Sequence, residues 1–230
     1  SVHKTGSMKF ETKLAAGTHE IAEAIRQDWS HHRLVVVAGS THEGEEDLLL
    51  SIFQQLKIFH KELLLVIAPR HPERFDGVCR IVTRSGFTLL RRTEQHGTLP
   101  NNVDILVADT LGELPVLYGA ADVAVVGGGL LHGLGVGGHN ILEPCGVGVP
   151  VIFGPFMPNF EEICQLAIES GAGIQIQDIT DLQIQLSKLL NDPNLRSSMG
   201  ECGVKMIGEN SGATERSMQI LQPLIDKFVE

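Results

Sequence analysis

The chain has no apolar run approaching the ~18 uncharged residues that span a bilayer, and its first residues lack the basic-then-apolar pattern of a secretory leader. Neither a membrane anchor nor a signal peptide is expected. Positive charge is also scarce: 18 Lys and Arg face 28 Asp and Glu, for a formal net charge of −10. That balance argues against a nucleic-acid-binding surface, so any phosphate must be held by a local site rather than by a basic field. Paired cysteines are missing too. Cys79, Cys145, Cys164 and Cys202 are widely spaced, in or beside apolar segments, which fits reduced core thiols of a cytosolic protein better than a disulfide frame or a zinc site. No nucleophile elbow, Walker sequence or HExxH pair occurs, and there is no internal repeat or low-complexity tract. Residues 1–12 have no periodicity and no initiating Met, so they read as a linker in a fragment or processed chain.

What is present is a repeating alternation. Apolar, strand-like runs fall at 34–38, 63–68, 87–90, 103–108, 122–126, 149–153 and 173–176. Several are continuously apolar, as in strands buried on both faces. Between them 46–60, 72–85, 112–119, 140–146 and 159–170 carry helical periodicity, and 17–29 reads as a helix before the first strand. Strand and helix in alternation imply an α/β fold, a Rossmann-like doubly wound parallel sheet. After it, 180–191, 193–210 and 212–229 read as helices with no further strand. The expected division is a linker over 1–16, a Rossmann-like domain over 17–210 and a C-terminal helix over 211–230.

Nine of the 25 glycines fall between Gly127 and Gly148, after an apolar strand and before a helix-like segment. Backbone without side chains at such a junction lets an anion or a sugar approach main-chain N–H groups. The same glycines also suit a surface loop. The ending GGHNxxEP adds polar groups at the helix entry. Ligands of open parallel sheets bind beyond the strands' carboxyl ends, and the other loops expected there carry AGSTHEGEED, APRHPERF, ADTLGEL and FGPFMPNF. Ser40-x-x-Glu43, Thr110-x-x-Glu113 and Asn140-x-x-Glu143 share capping-box spacing. Capping and ribose binding are balanced for Glu43 and Glu113, whereas Glu143, beside the glycines, is favoured for a ribose diol. Arg70 can hold phosphate bidentately or pair with Glu73. His42 and His139 can donate to the same anion or make local backbone bonds. The acidic run 43–47 suits a helix N-terminus, with its carboxylates turned away from a phosphate. GGGLLHG partly matches a dinucleotide fingerprint but lies late in the sheet, which argues against a dinucleotide.

TGSMKFE (5–11), AGSTHEGEE (38–46), PRHPERF (69–75), DTLGEL (109–114), GGHNILEP (137–144) and FGPFMPNF (153–160) resemble, in order, the C-terminal half of the 3-deoxy-D-manno-oct-2-ulosonic acid (Kdo) transferases of lipopolysaccharide biosynthesis. The segment 129–136 departs from the serine-containing loop associated with this motif. The resemblance implies the donor half of a GT-B glycosyltransferase that inverts the anomeric carbon and needs no cofactor or metal. CMP-Kdo is the implied donor and a lipid A precursor the acceptor. The acceptor site, the base and the membrane contact belong to an N-terminal half, and the whole enzyme works at the cytoplasmic face of the bacterial inner membrane. Carried over by position, Gly39, Ser40, Thr41 and His42 line the phosphate and Kdo side. Arg70 holds the phosphate or the Kdo carboxylate, and Leu111 and Gly112 border the cytosine. Gly138 and His139 join the same set, Asn140 donates to the phosphate and Glu143 takes the ribose hydroxyls. A UDP-sugar GT-B or epimerase domain and a non-catalytic nucleotide-binding module stay open beside this reading.

Overall fold

The computed structural model describes residues 3, 5–11 and 14–229. Residues 1, 2, 4, 12 and 13 of the expected linker and residue 230 of the expected tail lie outside the described residues. All seven expected strands form: β1 (Val35–Thr41), β2 (Leu64–Pro69), β3 (Leu89–Arg91), β4 (Ile105–Val107), β5 (Val123–Val126), β6 (Val151–Phe153) and β7 (Gly173–Gln175). Every pairing is parallel, in the order β3-β4-β2-β1-β5-β6-β7. The chain skips a place to lay down β3 at the edge, fills it with β4, and then crosses back to put β5 against β1. That reversal opens a crevice beyond the ends of β1 and β5, the place where doubly wound sheets bind ligands.

The apolar strands have no solvent face. Val35 and Val37 of β1 enter one core with α1 (Thr18–Asp28), α4 (Leu114–Gly119), α5 (Leu142–Gly146) and α6 (Glu161–Glu169). Val36 and Ala38 point the other way, onto α2 (Glu45–Leu56), α3 (Phe75–Arg84) and α7 (Ile179–Asn191). This two-residue alternation, with both faces covered, is why the strands read as unbroken apolar runs. Each fully buried Leu, Ile or Val contributes about 1.5–3 kcal/mol of burial free energy, which holds the strand ends in register. α8 (Pro193–Asn210) packs on α5, α6 and α7, with Met206 in one core and Met199 in the other.

Two features of the structure concern the ends. Within the expected linker, Met8–Glu11 winds into a 3-10 turn that buries Phe10 in the first core. The last helix, α9 (Ala213–Val229), docks on that segment: the Thr214 N–H donates to Glu11 at 3.1 Å and Arg216 Nε donates to the Thr5 carbonyl at 2.9 Å.

Candidate functional site

β1 ends in a bulge. The β1–β2 register slips between Gly39 and Thr41, and Ser40 sits at φ 54° in the left-handed region. A non-glycine residue held there costs about 1–3 kcal/mol and is fixed by its surroundings. The bulge turns Ser40 toward a slot of about 90 Å³ shared with Arg70, Thr110, Leu111 and Gly112, and turns Thr41 inward. Four residues expected at one site, from the ends of β1, β2 and β4, therefore line one slot. Leu111 is 72% exposed at its mouth.

Thr41 does a different job from the one its position implied. Fully buried, its hydroxyl donates to Glu46 at 2.8 Å, and Glu46 is gripped by both terminal nitrogens of Arg74 at 2.5 and 3.1 Å. This braces the β1 loop against the β2 loop and leaves no Thr41 hydroxyl facing the crevice. Gly39 also serves close packing: a Cβ there would lie 2.0 Å from the Tyr118 hydroxyl.

The glycine run is organised by a residue the sequence reading did not single out. Glu45, buried, accepts from Gly128 N at 2.9 Å, Leu130 N at 3.0 Å and His42 N at 3.0 Å. Gly127 N is spent on the Gly39 carbonyl at 2.9 Å. Much of the donor capacity expected to face an anion is thus turned inward. Burial pushes the Glu45 carboxyl upward, and the three backbone bonds work against that rise. Its position was legible: Glu45, Leu49, Ile52 and Leu56 share the i, i+4, i+7, i+11 face of an amphipathic helix. Glu43, the capping-box candidate, is exposed: the N-cap is Gly44, left-handed at φ 87°, and the helix begins after it at Glu45, one residue before the periodicity read from the sequence. Glu113 is engaged by the Thr110 hydroxyl and, at 3.2 Å, by Arg92.

Further along, Gly138 is buried against the Met157 sulfur, and its N–H donates to the Gly128 carbonyl at 3.1 Å. The loop is strapped to the segment after β6. Phe156 N donates to Gly129 O and Asn159 N to Gly137 O, both at 3.2 Å, and Asn159 Nδ2 reaches Val136 O at 3.1 Å. Between these two loops lies a cavity of about 690 Å³, lined in part by His132, Leu134, Phe156, Gln165 and Gln175.

The remaining polar groups gather at the β1–β5 crevice. His42 and His139 meet at Nε2, 2.7 Å apart, and His71 stands edge-on to His42 with ring centres 5.5 Å apart. The rings of His42 and His139 are 6° from parallel with centres 5.0 Å apart. Because 2.7 Å is closer than ring faces can approach, at about 3.5 Å, these rings meet end to end. Among the described residues, neither ring makes the local backbone bond weighed as the alternative. His139 is pushed down to about 4 by burial first, then by His42, Arg70 and His71. Arg70 is exposed, and among the described residues its guanidinium has no hydrogen bond or ion pair, so the pairing with Glu73 does not form. Asn140 accepts from Leu142 N at 3.1 Å and hydrogen-bonds Glu143. Burial raises the Glu143 carboxyl, while Asn140 and Arg70 pull it down. The helix after Asn140 has only five residues, starting at Leu142, so its dipole is short and side chains dominate the local field.

Chemically, the crevice offers an unpaired guanidinium, a protonatable imidazole cluster and a half-buried carboxylate, beside a narrow slot and a larger cavity. Among the described residues no group of three or more His, Cys, Asp or Glu is placed to hold a metal ion. No described helix is long and apolar enough to cross a membrane.

Comparison with known proteins places this geometry. The family model of glycosyl transferases group 1 matches residues 32–206. The chain is 34% identical to the 3-deoxy-D-manno-octulosonic acid transferase of Haemophilus influenzae, over 98% of this chain and 52% of that protein. It is 33% identical to the Bordetella pertussis transferase of the same name, over 95% of this chain and 50% of that one. It spans about half the length of these curated relatives. The crystal structure of the C-terminal CMP-Kdo binding domain of WaaA from Acinetobacter baumannii superposes with a TM-score of 0.77 at 30% identity, covering 84% of this chain and 99% of that domain. With the motifs, the parallel sheet and these relatives in agreement, the chain belongs to the group 1 glycosyl transferases and is a homologue of the C-terminal half of the Kdo transferases.

Proposed function

We propose that the chain is the CMP-Kdo-binding half of an inverting glycosyltransferase that passes Kdo to a lipid A precursor. The observation that carries this reading is the convergence of Arg70, His42, His139, Asn140 and Glu143 on the β1–β5 crevice of a domain that matches a CMP-Kdo binding domain along nearly all of its length. The cytosine sits at the slot beside Leu111 and Gly112, with Ser40 below it. Glu143 accepts from the ribose diol, held in place by Asn140. Arg70 and the histidines take the phosphate, and Kdo extends toward the glycine-loop cavity.

As the bond between Kdo and phosphate breaks, the electron pair stays on the phosphate oxygen. Fixed cationic groups aimed at that oxygen stabilise the developing charge. Attack by the acceptor hydroxyl from the opposite side inverts the anomeric carbon and needs a general base. That base, the acceptor site and the contact with the cytoplasmic face of the inner membrane are assigned to an N-terminal half, so this chain alone binds donor and does not turn it over.

Titration of the chain with CMP and UMP tests the reading. Tighter binding of CMP supports it, whereas a preference for the uridine nucleotide sinks it in favour of a UDP-sugar domain. Unchanged CMP affinity in Glu143→Ala removes the ribose assignment, for which a loss of about 1–3 kcal/mol is expected.

A further inference from the structure

His42 and His139 come from loops 97 residues apart and meet nitrogen to nitrogen at 2.7 Å. A contact of this length needs one proton between the two Nε2 atoms, one ring donating and the other accepting. Two neutral rings satisfy it. One neutral and one charged ring satisfy it better, because the bond becomes charge-assisted. Two charged rings aim their N–H groups at each other and break it. The pair therefore has room for one extra proton, and both Nδ1–H groups then remain free to donate elsewhere.

In the free site, the surroundings keep that proton away. Burial does most to keep it away from both rings; Arg70 and His71, from the end of β2, add to this at both, and Arg74, just before α3, adds to it at His42, where Glu46 pulls the other way. Of the acids on α2, Glu46 is already held by Arg74 and Thr41, and Glu45 is turned toward the glycine-loop N–H groups. Glu143 on α5 interacts with Arg70. The loop after β6, 154–160, has no titratable side chain. With Arg74 and Glu46 paired to each other, the Arg70 guanidinium beside a proton-accepting pair is the charge that an incoming anion offsets.

We propose that His42 and His139 form a proton-coupled phosphate clamp: a nucleotide phosphate entering the β1–β5 crevice draws one proton from solvent onto the pair, whose Nδ1–H groups then hold it. This inference rests on the donor-site reading above. It adds that the site's charge is set by what occupies it.

The test compares CMP with cytidine on the same chain, by calorimetry in buffers of different ionisation heat and by affinity at pH 8 and pH 7. One bound proton makes the affinity change about tenfold per pH unit. CMP is expected to bind about tenfold tighter at pH 7, taking up close to one proton, while cytidine shows neither effect. In His139→Gln the pH dependence is expected to flatten. CMP binding without proton uptake overturns the clamp and leaves the nucleotide site standing. Equal uptake with cytidine also overturns it, because the proton then has nothing to do with phosphate. Failure of CMP to bind overturns both readings.

Discussion

Both carboxylate oxygens of Glu45 lie 2.9 Å from the Gly128 N–H, so the entrance of the glycine run is fastened to the first turn of α2. Removing that carboxylate leaves the buried N–H groups of Gly128 and Leu130 without an acceptor, each costing about 1–3 kcal/mol. Glu45→Ala is expected to destabilise the chain by about 2–5 kcal/mol in urea denaturation. The amides of Gly128 and Leu130 should also lose hydrogen-exchange protection. A wild-type midpoint together with wild-type protection would refute the fastening.

Gly128 and Gly133 provide a controlled comparison. Both have positive φ, 78° and 84°, but a Cβ on Gly128 would meet His139 Cδ2 at 2.5 Å, whereas one on Gly133 meets nothing within 4 Å. Gly133→Ala carries only the left-handed strain, about 1–2 kcal/mol. Gly128→Ala adds displacement of the His139 ring. Melting temperature should therefore drop further for Gly128→Ala, and only that variant should shift the His139 imidazole resonances. Equal effects on both readouts would show that the contact has no consequence.

Arg70 and Arg74 are four residues apart and have opposite expected phenotypes. Arg70, exposed and without an ion pair among the described residues, is expected to lose about 1–3 kcal/mol of CMP affinity on mutation to Ala, with stability unchanged. Arg74→Ala strands Glu46, which is fully buried, and is expected to cost about 3–5 kcal/mol of stability. Paired chemical denaturation and nucleotide titration check both. A destabilised Arg70→Ala with intact affinity would reverse the assignment.

Acid should loosen the fold through His139. Its folded value of about 4 lies below the ordinary 6.5, so the unfolded chain binds this proton more readily. The stability it contributes is complete above pH 6.5 and is lost as pH falls from 6.5 toward 4. Melting temperatures measured at pH 7.5, 6 and 5 should fall, and His139→Gln should fall less steeply. Parallel curves for the two proteins would rule out His139 as a contributor.

The five inner strands were legible because both their faces are buried, which leaves an unbroken apolar signal such as LLLVIA, while the edge strands β3 and β7 are only partly covered. Their order was not, since nothing local in Leu89–Arg91 says that β4 will later slide between it and β2. Arg70, His42, His139 and Glu143 were singled out because strand-end loops advertise themselves, and the structure brings them near one another. Glu45 was missed because the spacing rule for caps pointed to Ser40 and Glu43, whereas the cap is the left-handed Gly44, four residues beyond Ser40. The inward use of Thr41 and the meeting of His42 with His139 depend on contacts across the sheet, which local periodicity does not record.

The backbone contact between the loops after β5 and β6 bears on how this part of the domain can change. A Cβ on Gly154 would fall 1.8 Å from the Gly129 carbonyl oxygen, and two further backbone bonds lace the segments together. Neither loop can be lengthened, recombined or grafted without its counterpart. For selection, as for an engineer reshaping the cavity between them, the two loops are a single unit of change.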